Sequence, residues 1–205
     1  MSDVKVSVIY YSATGSVFTL AQAAVEAAEK AGAEVRLRKV RELAPKEAVE
    51  SNEGWSKHVL ETQDVPEATA EDVVWADAVM FGTPTRYGNV AAQLKQFLDT
   101  LGPQWSRGEL ADKVYTGFTS TGTAHGGQES TLLAMYNSFY HFGGIIVPPG
   151  YTDPSKFVDG NPYGASHISK NGANPPQEQD LTAVAYSARR AVEIAAQLKR
   201  GAEAA

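Results

Sequence analysis

Three short segments of the chain gather the residue types that hold a phosphorylated, planar ligand. The first is Ser12-Ala13-Thr14-Gly15-Ser16-Val17, where an apolar burst gives way to helical spacing. Its hydroxyls, its glycine and the free amides of a helix start form a cradle for an anion. No Lys or Arg occurs between Lys5 and Lys30, so neutral donors and the helix dipole would hold the charge there. Helix capping by Ser12 or Ser16 explains the same hydroxyls. The second segment is Gly82-Thr83-Pro84-Thr85-Arg86-Tyr87-Gly88-Asn89. Pro84 fixes its own φ and biases Thr83 towards extended backbone. Gly88 permits a tight turn that could aim the amides of 85–88 at one ligand. Thr85, Arg86 and Tyr87 then offer donors to the edge of a flat ring and an aromatic to its face; an ordinary exposed turn is the alternative. The third segment, Ser120-Thr121-Gly122-Thr123-Ala124-His125-Gly126-Gly127-Gln128-Glu129, has the glycines that let backbone pass close against a ligand, or make a flexible surface loop. It is neither a Walker loop, since no Gly-Lys pair exists in the chain, nor a dinucleotide fingerprint, since it does not follow the first strand.

The elements that must position these segments alternate along the chain. Residues 4–11 (VKVSVIYY), 33–39, 77–83, 113–120 and 144–149 (GIIVPP) read as strands. Between them, helical spacing runs from Ser16 to Lys30, around 69–75, from Val90 to about Leu101, and from Gln128 to about His141. A last helix spans about Gln177 to Lys199, with Leu181, Val184, Ala188, Val192 and Ala195 as its buried stripe. Residues 42–68 read as a long polar excursion, and 150–176 as a Gly/Pro/Asn-rich loop. The acidic stretch from Glu61 to Asp77, free of Lys and Arg, reads as a solvated face. Five strands alternating with helices predict an α/β, doubly wound parallel sheet with helices on both faces and two long insertions. In such sheets ligands bind beyond the carboxyl ends of the strands, which is where all three segments fall. Together they describe a phosphate site beside a planar-ring site, the requirement of a mononucleotide such as FMN.

Composition narrows the class. At 205 residues the chain is expected to be a single domain over 1–205, ordered to about residue 200, with an Ala-rich tail that frays after Gly201. No cysteine is present, which excludes disulfides, thiolate-ligated metals and a cysteine nucleophile. A net charge of −6 argues against nucleic-acid binding. The chain has no 18-residue apolar run and no signal-like start at Met1-Ser2-Asp3-Val4, so a cytoplasmic protein without a membrane span is expected. No metal site is expected.

The segments YYSATGSV, FGTPTRYGN, FTSTGTAHGGQE, HFGGIIVPPGY and NPYGAS resemble the WrbA family of flavodoxin-like NAD(P)H:quinone oxidoreductases over nearly the whole chain. The resemblance implies a flavodoxin-like five-stranded parallel sheet of order 2-1-3-4-5. It implies one FMN per subunit, its phosphate on Ser12, Ala13, Thr14, Gly15, Ser16 and Val17. The ring would lie between Thr85, Arg86, Tyr87 and Gly88 on one side and Ser120, Thr121, Gly122, Thr123, Ala124 and His125 on the other. His141 would contact the flavin and, with Arg86, serve catalysis, while Trp105 would line the substrate pocket. NAD(P)H is the implied electron donor and a quinone the acceptor, in a homotetramer whose active sites are completed by neighbouring subunits. Thr14 stands where the family usually carries a tyrosine, Ala124-His125 lengthens the third loop by one residue, and Phe142 replaces a second histidine. A one-electron flavodoxin-type carrier for a protein partner would use the same FMN site. A regulatory DNA-binding role finds no basic stripe or recognition helix to support it.

Overall fold

A computed structural model describes residues 4–204; the start at Met1–Asp3 and the final residue of the tail lie outside them. Strand β1 (Lys5–Tyr10) leads into helix α1 (Ser16–Lys30), and β2 (Glu34–Lys39) into α2 (Lys46–Glu50), α3 (Glu53–Glu61) and α4 (Ala70–Trp75). Then come β3 (Ala78–Arg86), β4 (Asn89–Val90), α5 (Ala92–Asp99) and α6 (Gly102–Ser106). The carboxyl half holds β5 (Val114–Thr121), α7 (Gln128–His141), β6 (Ile145–Ile146), α8 (Ser155–Asp159), β7 (Ala165–Ile168) and α9 (Glu178–Glu203). Among these residues no helix is long and apolar enough to cross a membrane.

The sheet order is β2-β1-β3-β5-β6, all parallel, which is the expected 2-1-3-4-5 once the short β4 is set aside. Strands β1, β3 and β5 are buried on both sides, as a parallel sheet covered by helices requires. One face packs on α1 and α9: Val17, Leu20, Ala21, Ala24 and Ala28 meet Val184, Ala188 and Val192 over Val6, Val8 and Met80. The small alanines let these two helices approach closely. The other face carries α4, α5 and α7, with Val73, Leu94, Phe97, Leu132 and Phe139 over Ile9, Phe81 and Tyr115.

Both insertions depart from the sequence reading. The excursion at 42–68 contains α2 and α3. Helix α3 buries His58 while Val59 and Leu60 stay exposed, so its aliphatic residues do not mark its inward face and hydropathy conceals it. The fifth strand, expected over 144–149, keeps its ladder only at Ile145 and Ile146. Pro148 and Pro149 have no amide to give, and the chain leaves the sheet there. It returns as β7, which continues the same edge of β5 through Phe118↔Ala165 to Thr121↔Ile168. The loop expected at 150–176 is therefore an excursion within one interrupted edge strand.

Asp72 corrects the solvated reading of the acidic stretch. It is 3% exposed and closes a capping box with Thr69 at the start of α4. It also accepts from Arg36 Nη1 at 3.2 Å and Arg38 Nε at 2.9 Å. Burial pushes its carboxyl up, but the bonds from Thr69 and the two arginines outweigh that and hold it below the usual carboxylate range.

Candidate functional site

The cradle begins where β1 ends. Gly15 takes φ +100°, ψ −25° as the residue before α1, a conformation that strains any residue with a Cβ. No side chain caps α1, and the Ser12 hydroxyl instead accepts the Gly15 amide at 3.1 Å. The capping explanation for the hydroxyls therefore fails. The amides of Ser16, Val17 and Phe18 open the helix without intrahelical acceptors, aligned with the positive end of its dipole.

The second segment is a hairpin. β3 runs to Arg86 and pairs antiparallel with β4 through Thr85↔Val90 and Arg86↔Asn89. Tyr87 and Gly88 form its two-residue turn with φ of 53° and 75°, the primed-turn geometry that matches strand twist. A tyrosine in that region is uncommon, and its ring stands wholly in solvent. Gly127, φ +96°, starts α7, and a Cβ there would sit 2.7 Å from the Cα of Gly88. This glycine thus serves contact between two loops rather than a ligand. Buried Thr131 donates to the Thr85 hydroxyl at 2.7 Å, so α7 fixes the hairpin side of the site as well.

These loops converge on one cleft at the carboxyl ends of β1, β3 and β5. Ser12, Ala13, Thr14, Ser16 and Val17 line it with Pro84, Thr85 and Arg86, and with Ser120, Thr121 and Gly122. Gly15 shapes the cradle from within the loop, and Tyr87 and Gly88 stand at the hairpin tip. Thr123, Ala124 and His125 turn outward and are exposed, the turn closed by Gly126 N donating to Thr123 O at 3.1 Å. The structure does not bring His141 or Trp105 to this cleft. His141 ends α7, three residues before Gly144 leads into β6, whose partner Val114 begins β5. That is the amino edge of the sheet, opposite the cleft. Trp105 lies there too, its Nε1 donating to the His141 carbonyl at 2.7 Å, and both side chains are exposed.

The sequence reading missed two contributions. The second insertion sends Ser169, Asn171 and Gly172 into the cleft wall; the run Ser-Lys-Asn-Gly-Ala-Asn, rich in residues that tolerate left-handed backbone, was the available signal. The first insertion covers the outer side of the cradle. His58 packs on Phe18 with ring centroids 5.5 Å apart, and its Nδ1 lies 3.7 Å from where a Cβ of Gly15 would stand. Burial, with Lys39, holds His58 below its ordinary value against the pull of Glu61.

Glu42 ties that insertion down. One carboxylate accepts from the Tyr11 hydroxyl (2.9 Å), Trp55 Nε1 (3.0 Å), Gln93 Nε2 (2.8 Å) and the amides of Leu43 and Ala44. Burial would raise its titration, but these bonds hold it below the ordinary carboxylate range. Glu42→Gln turns an NH2 towards groups that are themselves donors. The variant is expected to lose about 1–3 kcal/mol, read from the urea midpoint. The native contribution is complete above the unfolded carboxyl's titration and fades as pH falls through the lower folded value. The gap between wild type and variant should therefore begin to narrow as pH falls below about 4 and close in stronger acid. A gap of the same size at neutral pH and in acid would contradict this assignment.

The donor set suits a flavin mononucleotide. Uncharged amides and hydroxyls converge where a phosphate would lie, and Arg86 is the one formally charged group among the described residues lining the cleft. A doubly wound sheet of this order, with such a cleft at its carboxyl edge, defines a flavodoxin-like mononucleotide-binding domain. Residues 4–156 match the NADPH-dependent FMN reductase family. The chain belongs to that family. A Deinococcus radiodurans protein named NAD(P)H dehydrogenase (quinone) is 45% identical over 198 residues, covering 96% of this chain and 98% of its own. A protein of the same name from Aromatoleum aromaticum is 41% identical, with 96% and 98% covered. Among solved structures, the flavodoxin, WrbA-like protein from Agrobacterium tumefaciens superposes with a TM-score of 0.67 at 24% identity, covering 95% of this chain and 99% of that one.

Proposed function

We propose that this chain is an FMN-dependent NAD(P)H dehydrogenase (quinone), reducing quinones to hydroquinones in a ping-pong reaction. The observation that carries this reading is the convergence of three loops on one cleft, uncharged but for Arg86, in a chain 45% identical to a protein of that name. Bound FMN would supply the two-electron relay, so that NAD(P)H, a proton and a quinone become NAD(P)+ and a hydroquinone. The cradle at residues 12–17 binds the phosphate. Backbone donors around Thr85 and Ser120–Gly122 orient the ring and stabilise negative charge at its edge. Exposed Arg86 lies at the mouth, placed to attract an anionic co-substrate.

His141 and Trp105 enter this scheme only through another subunit. We place them, in a homotetramer, beside the cleft of a neighbour, because both are exposed on one patch of the sheet's other edge. On this reading the protein works in the cytoplasm.

The test is a visible spectrum of the purified protein followed by NADH oxidation with benzoquinone. Protein stripped of flavin should be inactive and regain turnover at one FMN per chain. Flavin binding without benzoquinone-dependent NADH or NADPH oxidation would overturn the enzyme reading in favour of a one-electron carrier.

A further inference from the structure

We propose that Asn171, carried in by the second insertion, binds the hydroxylated chain that links the flavin ring to its phosphate. This rests on the FMN reading above and adds a contact from outside the three loops.

The turn from Ser169 to Asn174 is held at both ends. The amide and hydroxyl of Ser169 both donate to the Thr121 carbonyl, at 2.8 and 3.0 Å, fastening the turn to the end of β5. The Asn174 amide closes it on the Ser169 carbonyl at 2.9 Å, and Asn174 Nδ2 donates to the Ile168 carbonyl at 2.7 Å. Buried His167 reaches the Asn174 carbonyl through Nε2 and the Asp180 carboxylate through Nδ1, each at 2.9 Å. An exposed loop is thus anchored by buried groups on β7 and α9.

At its apex Lys170, Asn171 and Gly172 all have positive φ, of 48°, 57° and 92°. Left-handed backbone at two successive non-glycine residues persists only when the surroundings enforce it. Here it lays the Asn171 side chain against Gly122. A Cβ on Gly122 would stand 2.7 Å from Asn171 Oδ1, so the glycine is what admits the carboxamide. Asn171 carries the one carboxamide among the described cleft residues, and it makes no hydrogen bond within the described chain. A carboxamide offers both donors and an acceptor, which is the complement of hydroxyl groups. A ligand with its anion in the cradle of residues 12–17 and its ring at Thr85 runs its middle portion through this cleft.

The discriminating variant is Asn171→Gly, because glycine accepts the left-handed turn and removes only the carboxamide. Apoprotein is titrated with FMN, riboflavin and lumiflavin by flavin fluorescence. The expected result is FMN and riboflavin binding weakened alike by about fivefold to tenfold, lumiflavin unchanged, and an unaltered apoprotein Tm. Wild-type affinity in the variant would overturn the inference. So would a loss confined to FMN, which places the contact on phosphate, or a loss shared by lumiflavin, which makes the role structural. Failure of the wild-type protein to bind FMN at all would instead remove the FMN reading itself.

Discussion

Gly15→Val is expected to weaken FMN binding by at least about 100-fold while leaving a folded apoprotein. The reason is conformational rather than steric at the first atom. A Cβ at position 15 would meet nothing nearer than His58 Nδ1 at 3.7 Å, an ordinary contact. The backbone, however, sits at φ +100°, where a β-branched residue is strained by about 1–3 kcal/mol. The loop relieves that strain by leaving the left-handed region, which rotates the open amides of 16–18 away from a common point. At about 1.4 kcal/mol per tenfold, losing two such bonds to a charged phosphate, each about 1.5–3 kcal/mol, reaches the stated figure. The residue lies before the helix rather than inside it, so α1 and its packing on α9 should survive. Titration of apoprotein with FMN reads the affinity, and far-UV circular dichroism with a melting curve reads the fold. A yellow variant with wild-type affinity would show that this loop does not hold the phosphate.

Lys156→Met is expected to cost about 3–5 kcal/mol of stability. Lys156 and Asp159 are 0% and 3% exposed at the side chain and bond directly, with the Lys156 ammonium also donating to the Gly164 carbonyl at 3.2 Å. Burial pushes the Asp159 carboxyl up, and the bond and charge of Lys156 lead the groups that oppose it, ahead of the backbone bonds from Asn161 and Ser166. Removing the ammonium strands a carboxylate without its counter-ion in an interior site, the costly half of a buried pair. With about 2–4 °C of Tm per kcal/mol in a domain this size, the melting point should fall by about 6–20 °C. Lys156→Met combined with Asp159→Asn should recover part of the loss, because no unpaired charge remains. A Tm within 2 °C of wild type for the single variant would refute this account, about 2 °C being the least that 1 kcal/mol produces. The effect bears on the site as well, since the pair braces Gly164, where the chain re-enters the sheet beneath the Ser169–Asn174 turn.

The legible parts of the site were those written in local chemistry. Gly15 marks a loop open to close backbone approach, Gly88 a tight turn, and Pro84 an extended approach. The apolar run before each segment places it at a strand end. Helix α7 was legible from Gln128 to His141 because its start follows a glycine pair and its stripe is apolar. Helix α3 was not, because it turns Trp55 and His58 inward for contacts with Glu42 and Phe18 that lie far away in sequence. Asp72 looked solvated for the same reason: its arginine partners sit on β2, more than thirty residues earlier.

The amino-acid order by itself determined the alternation of strands and helices, the parallel sheet they make, and the three loops at its carboxyl edge. Each of these follows from periodicity and turn chemistry within a few neighbouring residues. Only the tertiary structure decided that the fifth strand is split between Ile146 and Ala165, that both insertions fold back on the cleft, and that His141 and Trp105 face the opposite edge. Those outcomes depend on pairing and packing between segments remote in the chain, where the free energy resides in long-range contacts that no local pattern encodes.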